Sequence, residues 1–161
     1  MARREQEERE NRAQELVEKI VNERLRGISQ LSQLQLTEDL VREDGDLSQL
    51  AKAFVRVRSE RDKLKPTQLR RVFHELKRLE QRVRRGESVD VRTKVMLTLP
   101  MLAYALGREV IPHPFYELMK TLLDRVREQE DLQRLTEFLT VLLAYHKFHD
   151  KVKESTQGGE A

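Results

Sequence analysis

The side chains able to do chemistry in this chain are four histidines and a dense set of arginines and lysines; cysteine is absent. His146 and His149 stand at i,i+3 on one helix face, where two imidazoles can share a metal ion, yet no third ligand follows at a recognisable spacing. His74 lies among Arg70, Arg71, Lys77 and Arg78. There an imidazole would move a 2′-hydroxyl proton while guanidinium groups held the phosphate, as in a small ribonuclease. General acid–base catalysis needs a second positioned group, and none is identifiable. Glycine-rich phosphate loops, nucleophile elbows and metal-binding carboxylate clusters are missing too. The residue types point away from an enzyme, with neither metal nor cofactor expected.

What remains is charge, and its distribution is more telling than its total. The chain carries 31 Lys and Arg against 28 Asp and Glu, a net +3. From Arg56 to Lys94, fourteen cations face six carboxylates, a local balance of +8 that leaves −5 for the rest. One localised electropositive surface is expected, of the kind that meets a polyanion.

The stretch from Lys65 to Arg85 concentrates that surface on one element. At about 100° per residue, Leu69, Val72, Phe73, Leu76, Leu79 and Val83 share an arc that faces a core. Lys65 leads into the helix, and Arg70, Arg71, His74, Lys77, Arg78, Arg82, Arg84 and Arg85 take up most of the other side. Glu75 and Glu80 are too few to neutralise them. Arg56, Arg58, Arg61 and Lys63 extend the positive region upstream, diluted by Glu60 and Asp62. No aromatic side chain interleaves with these cations, so phosphate contact without base stacking is expected. Tyr104 and Arg108 lie one helical turn apart, which lets the arginine reach a phosphate or a neighbouring subunit. A buried tyrosine beside a helix-terminal arginine is the plain structural alternative.

The elements that position these residues all read as helices. The sequence predicts a charged N-terminal extension over 1–12, a single helical bundle over 13–153 and a disordered tail over 154–161. Ala13, Leu16, Val17, Ile20, Val21 and Leu25 are spaced as a first helix that Gly27 can end. Residues 28–36 are ambiguous, and Thr37 can cap a short turn leading to Asp44-Gly45. Asp46 with Gln49 has capping-box spacing for a helix running to about Lys63. Pro66 opens the basic helix and Gly86 stops it.

Val91 to Leu106 is apolar on nearly every side, the pattern of a central buried helix that Pro100 kinks or splits, with Gly107 as its C-cap. Phe115 to Val126 makes a further amphipathic helix, followed by an acidic break from Glu128 to Asp131. The last helix turns Leu132, Leu135, Phe138, Leu139, Leu142 and Tyr145 inward. No segment alternates with period two, so the fold class is all-α, a helical bundle of five to six helices. The longest apolar run is too short to cross a bilayer, and with a charged N-terminus a soluble, cytoplasmic protein is expected.

Three blocks in order, LKPTQLRRVFHELK at 64–77, LPMLAYALGRE at 99–109 and FLTVLLAYHKFHD at 138–150, resemble the small helical subunit of the Csm complex, the type III-A CRISPR RNA-guided effector. The matching positions are Thr67, Gln68, Leu69 and Arg70; Leu102, Ala103, Tyr104, Ala105, Gly107 and Arg108; and Ala144, Tyr145, His146 and Lys147. The resemblance covers roughly residues 47–150. It implies a non-catalytic antiviral-defence subunit whose copies stack on one another and on other Csm subunits, lining the channel where guide RNA pairs with target RNA. Arg108 and the cations above would then touch RNA backbone. The alternatives are the ribonuclease using His74 and a helical adaptor whose basic face meets an acidic protein.

Overall fold

The computed structural model describes residues 12–57 and 59–159, with side chains described to Val152. All regular structure among the described residues is helical and none is strand. Helix α1 covers 12–20 and loosens into a π-helical turn, Val21–Leu25, before Gly27 turns the chain in the left-handed region at φ 84. Then follow α2 (Glu38–Val41), α3 (Asp46–Val55), α4 (Pro66–Arg84), α5 (Val91–Met96), α6 (Thr98–Gly107), α7 (His113–Leu123) and α8 (Gln129–Gly159). Short 3-10 turns occur at Leu31–Gln33 and Glu60–Asp62. Of the expected N-terminal extension, residues 1–11 lie outside the described residues, as does Arg58.

One hydrophobic cluster runs from Ala13 to Leu142 and includes residues of every long helix. Its axis is α8, which packs against α3, α4 and the Leu31–Gln33 turn. Leu132, Leu135, Phe138, Leu139 and Leu142 are fully buried, and Tyr145 donates its hydroxyl to the Val41 carbonyl at 2.5 Å. The 3.6-residue spacing of those apolar side chains is what seats α8 in the middle. Phe54 of α3 meets Phe115 of α7 edge to face, with ring centroids 6.0 Å apart.

The central position therefore belongs to α8 and not, as expected, to Val91–Leu106. That segment is two helices, α5 and α6, and only Val95, Thr98 and Leu102 within them are buried. The break falls at Leu97, ahead of Pro100, whose ring is incompatible with an uninterrupted helix at the carbonyl four residues back. The pair lies at the periphery, and its surplus apolar surface, including Leu97 and Tyr104, faces outward.

Other boundaries differ for local reasons. Helix α3 stops at Val55 and does not reach Lys63: Arg56 leaves the helical region at ψ 66, and the chain returns so that the Leu64 N–H donates to the Phe54 carbonyl at 3.2 Å, burying Leu64. Gly45, not Asp46, precedes α3; a Cβ there would lie 2.6 Å from the Asp39 carbonyl oxygen, so the turn requires glycine. Asp46 instead pairs with Lys19 at 2.9 Å and Arg24 at 3.4 Å, tying α3 to the first helix. Thr37 does not cap α2 through its side chain; its hydroxyl binds Asp39, which Arg24 and Thr37 together hold down at about 2.

The ambiguous 28–36 segment runs along the start of α8. Leu31 N–H donates to the Arg125 carbonyl and Ser32 N–H to the Asp131 carboxylate, at 2.9 and 2.8 Å. Asp131 also accepts from the N–H groups of Arg127 and Glu128, both at 3.0 Å. Burial alone would raise its pKa, but these backbone donors outweigh it and the net shift is downward. The acidic break is thus the first turn of α8, with Glu130 and Asp131 favourably placed at the positive end of the helix dipole. At the other end the backbone of α8 stays helical to Gly159, through most of the segment expected to be a disordered tail. No helix-breaking residue intervenes before Gly158.

Candidate nucleic-acid interface

Helix α4 supplies the site. Pro66 occupies its first turn, where a missing N–H is harmless, and after 19 helical residues, Pro66–Arg84, Gly86 closes it at φ 82. The Gly86 N–H donates to Val83 and the Glu87 N–H to Arg82, a closure that needs the left-handed residue in between. Leu69, Val72, Leu76 and Leu79 are buried as the apolar arc requires, while Phe73 and Val83 at its margins are half-buried.

Glu80 is buried as well, at 1 % exposure, and it reorganises the basic face. Its Oε2 accepts from the Thr136 hydroxyl of α8 at 2.8 Å and from Lys77 at 3.1 Å. Arg84 Nη2 stands 3.1 Å from Oε1, without the alignment of a hydrogen bond. Lys77 and Arg84 are therefore drawn toward the α4–α8 seam by a carboxylate shielded from water. A buried charge must be compensated, so these two cations have a structural task.

The remaining cations are held weakly or not at all. Arg78 pairs with Glu75 at 3.6 Å and Arg82 with Glu87 at 2.7 Å, both exposed contacts of the kind worth about 0–1 kcal/mol and readily exchanged. Arg70, Arg71 and Arg85 are exposed and, among the described residues, have no carboxylate within ion-pair distance. Arg82 and Arg84 also sit in the last turn of α4, where the helix dipole favours cations.

The upstream cations scatter. Lys65 is half-buried ahead of α4, Lys63 approaches Asp150 of α8 at 3.8 Å and Arg61 approaches Glu109 at 3.9 Å. The charge of Arg56 acts on His149 of α8. The structure thus brings Arg70, Arg71, His74, Arg78, Arg82 and Arg85 together on the outer face of one helix, and distributes Arg56, Arg61 and Lys63 over other surfaces.

Beside that face, α5 and α6 form the far wall of a groove. Arg78 and Arg82 line one stretch of it with Lys94, Leu97 and Met101, a cleft of about 220 Å³. Arg71 and Gln68 line the next stretch with Tyr104 and Arg108. Tyr104 is 68 % exposed and not buried, and the Arg108 guanidinium stands over its ring, 5.7 Å from the centroid. Of the two readings the sequence left open for this pair, the buried tyrosine is therefore the one that does not hold.

The histidines have other occupations. His74 is exposed against Phe73, ring centroids 5.6 Å apart, and among the described residues no side chain is hydrogen-bonded to it. His146 Nε2 donates to the Leu64 carbonyl at 2.6 Å, and His149 Nε2 meets the Ser48 hydroxyl at 3.0 Å. Burial lowers the pKa of both; for His149 the charges of Lys52 and Arg56 add to the effect. Among the described residues no three His, Asp or Glu side chains converge as a metal site, and no helix is long and apolar enough to cross a membrane.

The described residues thus form an all-helical unit with a basic groove between α4 and the α5–α6 pair. The family model described as Csm2 Type III-A matches residues 42–152, from the end of α2 to the last described side chain of α8. The chain belongs to the Csm2 family and is a subunit of a type III-A Csm complex, whose other subunits are its partners. No curated protein and no solved structure matches it. The matched span contains α4, the groove and all three blocks that carried the resemblance.

Proposed function

We propose that this subunit has no catalytic role and binds RNA through the outer face of α4, lining the channel in which guide RNA pairs with target RNA in the cytoplasm. Arg70, Arg71 and Arg85 make the primary phosphate contacts, Arg78 and Arg82 exchange their surface carboxylates for phosphate, and His74 adds a hydrogen bond. From Arg70 to Arg85 the helix rises about 22 Å, enough to follow several consecutive phosphates. Neutralising them releases condensed counterions, a contribution indifferent to base sequence. Sequence readout then falls to guide–target pairing. Copies of the chain stack along the RNA and against other Csm subunits. The antiviral role follows from membership of that machine.

The single observation that carries this reading is the set of exposed arginines, Arg70 and Arg71 on α4 and Arg85 at its C-cap, that share one face and have no carboxylate partner among the described residues. Changing Arg70, Arg71 and Arg85 together to Glu tests it in filter binding to single-stranded RNA. The expected result is affinity lower by roughly tenfold or more with helicity intact. A folded triple variant that binds as well as the parent overturns the assignment.

A further inference from the structure

Among the large apolar side chains described, Tyr104 is the most exposed, at 68 %. Tyr116 and Tyr145 are half-buried, and Tyr145 has its hydroxyl bonded to backbone. The surroundings of Tyr104 are specific. Arg108 stands at its ring, and across a shallow cleft of about 40 Å³ lie Arg71 and Gln68 of α4. Every charged residue lining this cleft is an arginine. Neither Arg71 nor Arg108 has an ion-pair partner among the described residues.

Glu109, the nearest carboxylate in sequence, is turned elsewhere by the way α6 ends. Its φ is 61; its N–H donates to Leu106 while the Val110 N–H donates to Ala105. This closure sends the Glu109 carboxylate toward Arg61 and leaves it out of the cleft lining.

We propose that Tyr104, with Arg71 and Arg108 beside it, is a stacking platform for an unpaired base of single-stranded RNA. This inference rests on the RNA-binding reading of α4 and deepens it. A nucleotide offers a planar face to the ring and a phosphate to the arginines, and the Gln68 amide has both donor and acceptor for a base edge. An acidic protein segment would satisfy the arginines but offers the ring an aromatic face only where Phe, Tyr, Trp or His happens to accompany its carboxylates, whereas every nucleotide carries a planar base beside its phosphate. The cleft is too small to admit a base, so the base lies on the ring at its rim. Arg71 belongs both to this cleft and to the free face of α4, making the platform continuous with the phosphate track.

The test compares full-chain binding to a short oligoadenylate RNA and to an abasic ribose-phosphate oligomer of equal length and charge. The parent is expected to prefer the RNA by on the order of tenfold. Tyr104→Ala, checked for helicity by circular dichroism, removes that preference and leaves the salt dependence unchanged, whereas Tyr104→Phe keeps it. Changing Arg70, Arg71 and Arg85 to Glu weakens binding of both oligomers. Equal affinity of the parent for the two overturns the platform while leaving phosphate binding in place. Failure to bind either overturns the RNA reading and the platform with it. Tyr104→Ala that binds both as the parent does, yet loses another Csm subunit from the purified complex, makes the ring a protein contact and overturns the proposal.

Discussion

On the flank of α4 that meets α8, Lys77 and Arg84 converge on Glu80, a carboxylate only 1 % exposed. On the flank that looks across to α6, Arg71 faces a cleft lined by another arginine and an exposed tyrosine. The same residue types thus have opposite tasks within one helix. Toward α8 the cations compensate a buried charge and help hold two helices together. Toward α6, among the described residues, they have either an exposed surface carboxylate, which a polyanion can displace, or no carboxylate partner. Counting charges around the wheel merges the two flanks; burial of a single glutamate separates them.

The largest effect in this comparison is expected from Glu80→Ala. It removes the Glu80 acceptor of Thr136, whose hydroxyl is left with the Gln133 carbonyl, and the carboxylate that ties Lys77 and Arg84 to the seam, a loss of about 1–3 kcal/mol in urea unfolding. RNA affinity should hold or rise, because Lys77 and Arg84 become free. Glu80→Gln should lose less, since the amide oxygen still accepts from Thr136. An alanine variant as stable as the parent would break the distinction between the flanks.

Acid acts on α8 away from both flanks of α4, where His146 meets Leu64 and His149 meets Ser48. His146 and His149 of α8 are favoured in their neutral form in the folded chain, while the unfolded chain takes up protons near the ordinary value of about 6.5. Stability therefore falls as pH drops from about 6.5 toward the lowered folded-state values, and is flat above that range with respect to these two groups. Thermal melts from neutral to mildly acidic pH should show the decline, and a His146→Gln, His149→Gln variant should flatten it. Asp131 acts in a separate, lower window: its lowered pKa gives stability that is present above the ordinary carboxylate range and lost as pH falls through it.

The smallest change is at the end of α6. Glu109 occupies the left-handed position that Gly86 fills at the equivalent closure of α4. Glu109→Gly should relieve the conformation and raise stability by up to about 1 kcal/mol. It also removes the contact with Arg61, an exposed pair of little worth. A fall in melting temperature would show that Glu109 does more than close the helix.

Much of this molecule is legible in its sequence. The apolar spacings of α4 and α8 give their inward faces residue by residue, because a 3.6-residue period leaves one solution for a helix on a core. Pro100 announces a break between α5 and α6. Which side of that apolar segment is covered is not legible, since composition reads the same for surface shared with a core and surface left open. The burial of Glu80 does leave a signal. It falls inside the arc of Leu69, Leu76 and Phe73, with Lys77 at i−3 and Arg84 at i+4, the spacings that let both reach it. The end of α3 has no such signal, because its turn depends on the remote pairing of Leu64 with Phe54.

The central claim, that the unpaired arginines of α4 contact RNA phosphates while those at the seam hold the fold, is tested most directly by salt dependence. Full-length chain and an Arg70→Gln, Arg71→Gln, Arg85→Gln variant would be titrated with single-stranded RNA over a salt series. The log–log slope should shrink by about 2, a little under one unit for each phosphate that the variant no longer neutralises, with the melting temperature unchanged. An undiminished slope in the folded variant would contradict the account.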